Sequence, residues 1–157
     1  MVASDALFAD NSTDHKSSQS YAMKLFGGLV GWRANKQATV TTSTTEAELL
    51  ALLQAAREGI YIQRLLKELE VNMDCDNMVI QCDNQQMLCL VKEEIGKLYT
   101  KLKHVDVQNH WLHQEYQRYH ITVCYVELKS MITNSLTKAL LLDNHYHFLH
   151  QMNLIDI

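Results

Sequence analysis

Three acids in this sequence sit where acids are costly. Asp5 interrupts the short apolar run VASDALFA from Val2 to Ala9, Glu48 lies beside Leu49 and Leu52, and Asp83 closes the run MVIQC from Met78 to Cys82. A carboxylate among apolar neighbours is unfavourable unless a metal, a base or water meets it. An acid at the carboxyl end of a buried strand is also a common place for function in α/β sheets. If the strands holding Asp5 and Asp83 are neighbours, those two groups converge at one sheet edge and a helix carrying Glu48 can close over them. Such a cluster repels itself unless divalent cations neutralise it. Magnesium suits it, because that ion prefers hard oxygen ligands and keeps several waters.

The elements that would position these acids are legible in the surrounding residues. Ser43 and Glu46 have capping-box spacing, which predicts a helix start in STTEAELLALL from Ser43 to Leu53. Two residues advance a helix by about 200°, so Glu46 and Glu48 cannot serve one site. One caps and the other is free for chemistry. The helix continues towards Leu69, with Leu49, Leu52, Leu53, Ala56 and Ile60 on one face and Ile62, Leu65, Leu66 and Leu69 on another; Gly59 at the changeover predicts a kink. Before it, YAMKLF and LVGWRA flank Gly27-Gly28, a hairpin signal that makes three antiparallel strands the economical reading. After Met78–Cys82 come a short helix in NQQMLCLV, a helix supported by Leu98, Leu102, Val105 and Leu112 towards Tyr119, the β run Ile121 to Leu128, and a helical segment from about Met131, interrupted near Asp143. The order is α/β with a mixed sheet.

The 157 residues suffice for one domain with a substantial core, and 47% hydrophobic with 20% charged residues describe a folded chain. No apolar run is long enough to cross a bilayer, and MVASDALFAD lacks the features of a signal peptide, so the expected setting is intracellular and away from membranes. Cys75, Cys82, Cys89 and Cys124 form no C-x-x-C pair and read as reduced thiols. A net charge of −4 argues against a tight nonspecific nucleic-acid binder but leaves room for a cation-dependent nuclease, whose acids gather around metals. Lys97, Lys101, Lys103 and His104 form the best local basic patch for phosphates. His110 and His113 are one turn apart without a cysteine or carboxylate partner at zinc spacing, which favours ordinary histidines. Trp32 and Trp111 read as core anchors.

GWRANKQATVTTSTTEAELLAL resembles the ribonuclease H domain of copia-type LTR retrotransposon polyproteins, where W-R-x-x-K-Q precedes S-T-x-E-A-E. SDALFAD, CDNQQ, KHVDVQNHWLHQ and TNSLTKAL resemble further segments of that family, in its order, across nearly the whole chain. The resemblance implies a ribonuclease H-like, five-stranded mixed sheet, its first three strands antiparallel, flanked by helices. Residues 1–157 would be one such domain, a fragment of a longer polyprotein. By position Asp5, Glu48 and Asp83 match the family's catalytic, metal-binding acids, which assigns coordination to Glu48 and the cap to Glu46. Asn134 stands where a fourth metal-ligating aspartate is expected, offering a carbonyl oxygen without charge. Leu7 and Phe8 replace an Asp-Trp pair, and prolines expected at Ala139 and near Glu127 are missing.

The implied activity is endonucleolytic hydrolysis of the RNA strand of RNA/DNA hybrids during reverse transcription. The implied cofactor is two Mg²⁺ ions, with Mn²⁺ as a substitute, and the partners are the hybrid and the reverse transcriptase domain of the same polyprotein. Cytoplasm, virus-like particles or nucleus would be its location. The alternative is a weakened or noncatalytic binding or connecting module, for which Asn134 speaks. Asp10 and Asp106 are candidates to compensate for it.

Overall fold

The computed structural model describes residues 1–73, 77–92, 103–118 and 120–154, with the backbone alone for 103–105. β1 (Val2–Leu7), β2 (Ser18–Leu25) and β3 (Gly28–Lys36) form an antiparallel meander, β1 and β2 buried along most of their length and β3 largely uncovered. Phe26 and Gly27 both adopt positive φ, 49° and 80°. A two-residue turn of that kind matches the strand twist and is easiest with glycine. The expected hairpin is therefore present, its turn one residue earlier than Gly27-Gly28. β1 ends before the anticipated Ala9, whose φ of 47° leaves the extended region.

The helix α1 (Thr44–Glu68) follows, then β4 (Met78–Cys82), α2 (Gln85–Lys92), α3 (Lys103–Gln117) and β5 (Ile121–Tyr125). β5 stops at Tyr125, three residues short of the expected Leu128, and a 3-10 turn at Leu128–Ser130 leads to α4 (Asn134–Thr137) and α5 (Leu142–Gln151). The anticipated break in the last helical segment falls at 138–141, and Asp143 lies in the first turn of α5 instead. The sheet order is β3-β2-β1-β4-β5, with β1, β4 and β5 mutually parallel. This is the five-stranded mixed sheet implied by the resemblance.

The main core forms between the sheet and α1. Leu49, Leu52, Leu53, Ala56 and Ile60 pack with Val2, Tyr21, Met23, Ile80 and Val123. Burying each of the larger aliphatic side chains contributes about 1.5–3 kcal/mol. A second cluster of Ala22, Ile132, Phe148 and Met152 holds α5 to the sheet. Among the described residues, no helix is long and apolar enough to cross a membrane.

Two further expectations need correction. The helix α1 runs without interruption through Gly59. Gly59 is there for close packing: a Cβ would come within 2.0 Å of Met78 Sδ and 3.2 Å of Val2 Cγ2. Trp32 is 60% exposed on edge strand β3 and anchors no core, because β propensity marks a strand without saying which face is covered. Trp111 is half-buried, packs against the main cluster and receives Arg57 over its ring at 5.6 Å. Gly59→Val should lower stability by about 1–3 kcal/mol through overpacking. Urea unfolding would show it, and Met78→Ala in the same chain should recover part of the loss.

Candidate metal centre

The parallel pairing of β1 with β4 aligns Val2 with Ile80 and Ala3 with Gln81. Continuing that register by two residues sets Asp5 beside Asp83 on adjacent strands, which lie about 4.8 Å apart in any sheet. Glu48 arrives from the second turn of α1. Ser43 caps that helix by accepting the Glu46 N–H at 3.2 Å, while Glu46 Oε2 accepts from the N–H and hydroxyl of Thr42 at 2.7 and 2.8 Å. Glu46 thus caps, reaching one residue further back than a standard capping box. Glu48 is left to the site.

One oxygen from each of Asp5, Glu48 and Asp83 lies within 4.8 Å of the others. Asp5 and Glu48 are buried and Asp83 is half-buried. Burial, followed by the charges of Asp5 and Asp83, pushes Glu48 up to about 8, against the opposing Ala6 backbone N–H. Asp5 is raised by burial and by Asp83, with Thr137 and Lys138 acting against the rise. Burial raises Asp83 as well, and Lys138 again opposes. Three clustered oxygen donors, reluctant to ionise together, fit a hard divalent cation.

The fourth wall is α4. Ser20, the partner of Asp5 across β2, donates its hydroxyl to the Thr133 carbonyl at 3.1 Å. Thr137 donates to Asp5 Oδ2 at 2.8 Å. Asn134 is half-buried, and its Oδ1 accepts from Lys138 Nζ at 2.5 Å. Thr137 and Lys138 both stand in TNSLTKAL beside Asn134, where nothing in their spacing marks them as neighbours of the site.

Other candidates fall elsewhere. Lys97 and Lys101 lie outside the described residues, as do the side chains of Lys103 and His104 at the start of α3; Cys75 is also outside. Asp10 is occupied by Lys36 at 2.6 Å and by Ser18 at 2.8 Å and lies outside the acidic trio. Asp106 lies in the first turn of α3 and is outside the acidic trio. His110 is exposed, and His113 is buried with Nδ1 3.0 Å from the Val91 carbonyl.

No protein-family model matches the chain. A retrovirus-related Pol polyprotein from transposon TNT 1-94 of Nicotiana tabacum is 30% identical over 135 residues, 86% of this chain and 10% of the polyprotein. The Ty1-JR2 Gag-Pol polyprotein of Saccharomyces cerevisiae is 25% identical over 140 residues, 89% of this chain and 8% of the polyprotein. LC11-RNase H1, solved in complex with an RNA/DNA hybrid, shares the fold with a TM-score of 0.55 at 9% identity, over 83% of this chain and 88% of that one. The chain has a ribonuclease H-like fold. Its homologues over most of the chain are copia/Ty1-type retrotransposon Pol polyproteins, of whose length it spans about a tenth.

Because Glu48 is raised in the folded state, that state holds a proton that the unfolded chain has released between about pH 4.5 and 8. Without divalent cations, stability should therefore fall as pH rises through this window, by on the order of a few kcal/mol. Denaturant unfolding in chelator at pH 5 and pH 8 measures the loss. Glu48→Gln should flatten it.

Proposed function

We propose that this domain is a metal-dependent endonuclease that hydrolyses the RNA strand of RNA/DNA hybrids. The observation that carries this reading is the meeting of Asp5, Glu48 and Asp83 at one end of a ribonuclease H-like sheet. Asp5, Glu48 and Asp83 would hold Mg²⁺, for which Mn²⁺ can substitute, with Asn134 as a weak contact. The chemistry supplied by divalent cations held there would be activation of a water and stabilisation of the leaving 3′ oxygen, which would give 5′-phosphate and 3′-hydroxyl products.

The chain's own part is positioning. Thr137 orients the Asp5 carboxylate, and burial of Asp5 and Glu48 keeps water from screening their charge. Selectivity for RNA would rest on the 2′-hydroxyls across the hybrid's minor groove. Lys97, Lys101, Lys103 and His104 would track its phosphates. Two relationships support the biological setting: the homologous Pol polyproteins, and the fold shared with an RNase H1 solved on a hybrid. The domain would remove the RNA template during reverse transcription, beside the reverse transcriptase segment of the same polyprotein.

A second reading, a noncatalytic binding or connecting module, is favoured by one contact. Asn134 Oδ1 is engaged by Lys138. Cleavage of labelled RNA within a hybrid in Mg²⁺ separates the two. The natural chain should cut, and Asp5→Asn should reduce the rate by about a hundredfold or more, since it removes a shared ligand. Activity seen only after Asn134→Asp would mean a scaffold disabled at one ligand. Silence from both folded chains would establish the module.

A further inference from the structure

The helix α1 outreaches the sheet it covers. Its 25 residues span about 37 Å, whereas the six of β1 span about 20 Å. The last of its buried residues is Ile60. Beyond that point the sequence stays apolar: Tyr61, Leu65 and Leu69 recur at every fourth position and are 63%, 38% and 63% exposed. They belong neither to the two apolar clusters nor to the acidic centre. Exposed apolar side chains gathered on one face and rimmed by charge mark an interaction surface. At about 100° per residue, Arg64 and Glu68 fall on the same side of the stripe. Both are exposed and one turn apart, yet neither joins an ion pair among the described residues. Within one helix, arginine placed before glutamate is the weaker order for pairing, which leaves both charges available.

We infer that this end of α1 is a homodimer interface, on which a second copy of the chain lays its own α1 antiparallel across a twofold axis. Self-complementary charge selects a copy as the occupant. When identical helices pair antiparallel about such an axis, each flank meets the same flank of its partner, and positions equally far from the axis face each other. Arg64 and Glu68 lie equally far on either side of position 66, next to Leu65 at the middle of the stripe. One axis there brings Leu65 onto the stripe of the other copy and sets Arg64 against Glu68 of the partner subunit, twice over. A contact confined to the last turns of one helix is smaller than a standard interface, so the dimer forms with rising concentration. Leu65 and Glu48 are about 25 Å apart along α1, so the acidic centre of each copy stays open.

Sedimentation velocity at low salt, across a roughly hundredfold range of concentration, reads the balance of monomer and dimer directly. Circular dichroism confirms that each variant folds. The natural chain should pass from monomer to dimer within that range. Leu69→Asp, at a position already exposed, should leave a folded monomer, and so should Leu65→Asp. Arg64→Glu should weaken the dimer about tenfold, because two attractive pairs become repulsive. The double variant Arg64→Glu with Glu68→Arg should return to within about threefold of the natural chain. A natural chain that stays monomeric throughout overturns the inference and leaves the face to another occupant, such as the remainder of a Pol polyprotein. A dimer that survives both Leu65→Asp and Leu69→Asp forms elsewhere on the molecule, and a charge reversal that the double variant does not rescue means that the copies do not meet antiparallel; either result overturns it as well.

Discussion

The mutual repulsion of Asp5, Glu48 and Asp83 is the constraint that the rest of the structure serves. Three carboxylates confined within 4.8 Å, two of them buried, resist ionising together. Nothing in a relaxed surface would keep them in place. They stay because each belongs to a different rigid element. Asp5 and Asp83 are fixed by the register of two parallel strands, and Glu48 by a helix whose core face is locked on the sheet. The hydrophobic core is thus the source of the force that holds like charges together. A cation at the site would return that energy as stability, by binding the folded state and leaving the unfolded one.

The helix α1 links these two sides of the energy balance. Its apolar residues from Leu49 to Ile60 make the largest core contact, and its first turns supply the cap and the third acid. The division of labour between Glu46 and Glu48 follows from helical geometry: a separation of about 200° sends one side chain back to Thr42 and the other towards the sheet edge. Gly59 completes the fit, letting α1 lie close enough to β4 for Met78 to sit against its backbone.

Patterns local in the chain were legible before the structure. The meander, the helix cap, the strand ending in Asp83 and the convergence of the acidic trio all rest on spacing or on a resemblance covering nearly the whole sequence. Features set by what lies opposite a residue were not. Gly59 reads as a breaker by composition, yet its role comes from Met78, some twenty positions on. Trp32 has the residue type of a core anchor, but β3 is an edge strand and leaves it uncovered. Thr137 reaches Asp5 across 132 positions, and no periodicity announces a hydroxyl aimed at a carboxylate so distant in the chain.

The turn at α4 keeps its place at the acidic trio without help from the Asn134 side chain. Two hydrogen bonds fasten this turn to the sheet, Ser20 to the Thr133 carbonyl and Thr137 to Asp5, and neither uses the side chain of residue 134. The wall's position is therefore decoupled from the charge of its first residue. The contacts that fold the turn are thus not the contacts that set its charge: the Asn134 side chain is engaged by Lys138 and holds no part of the sheet.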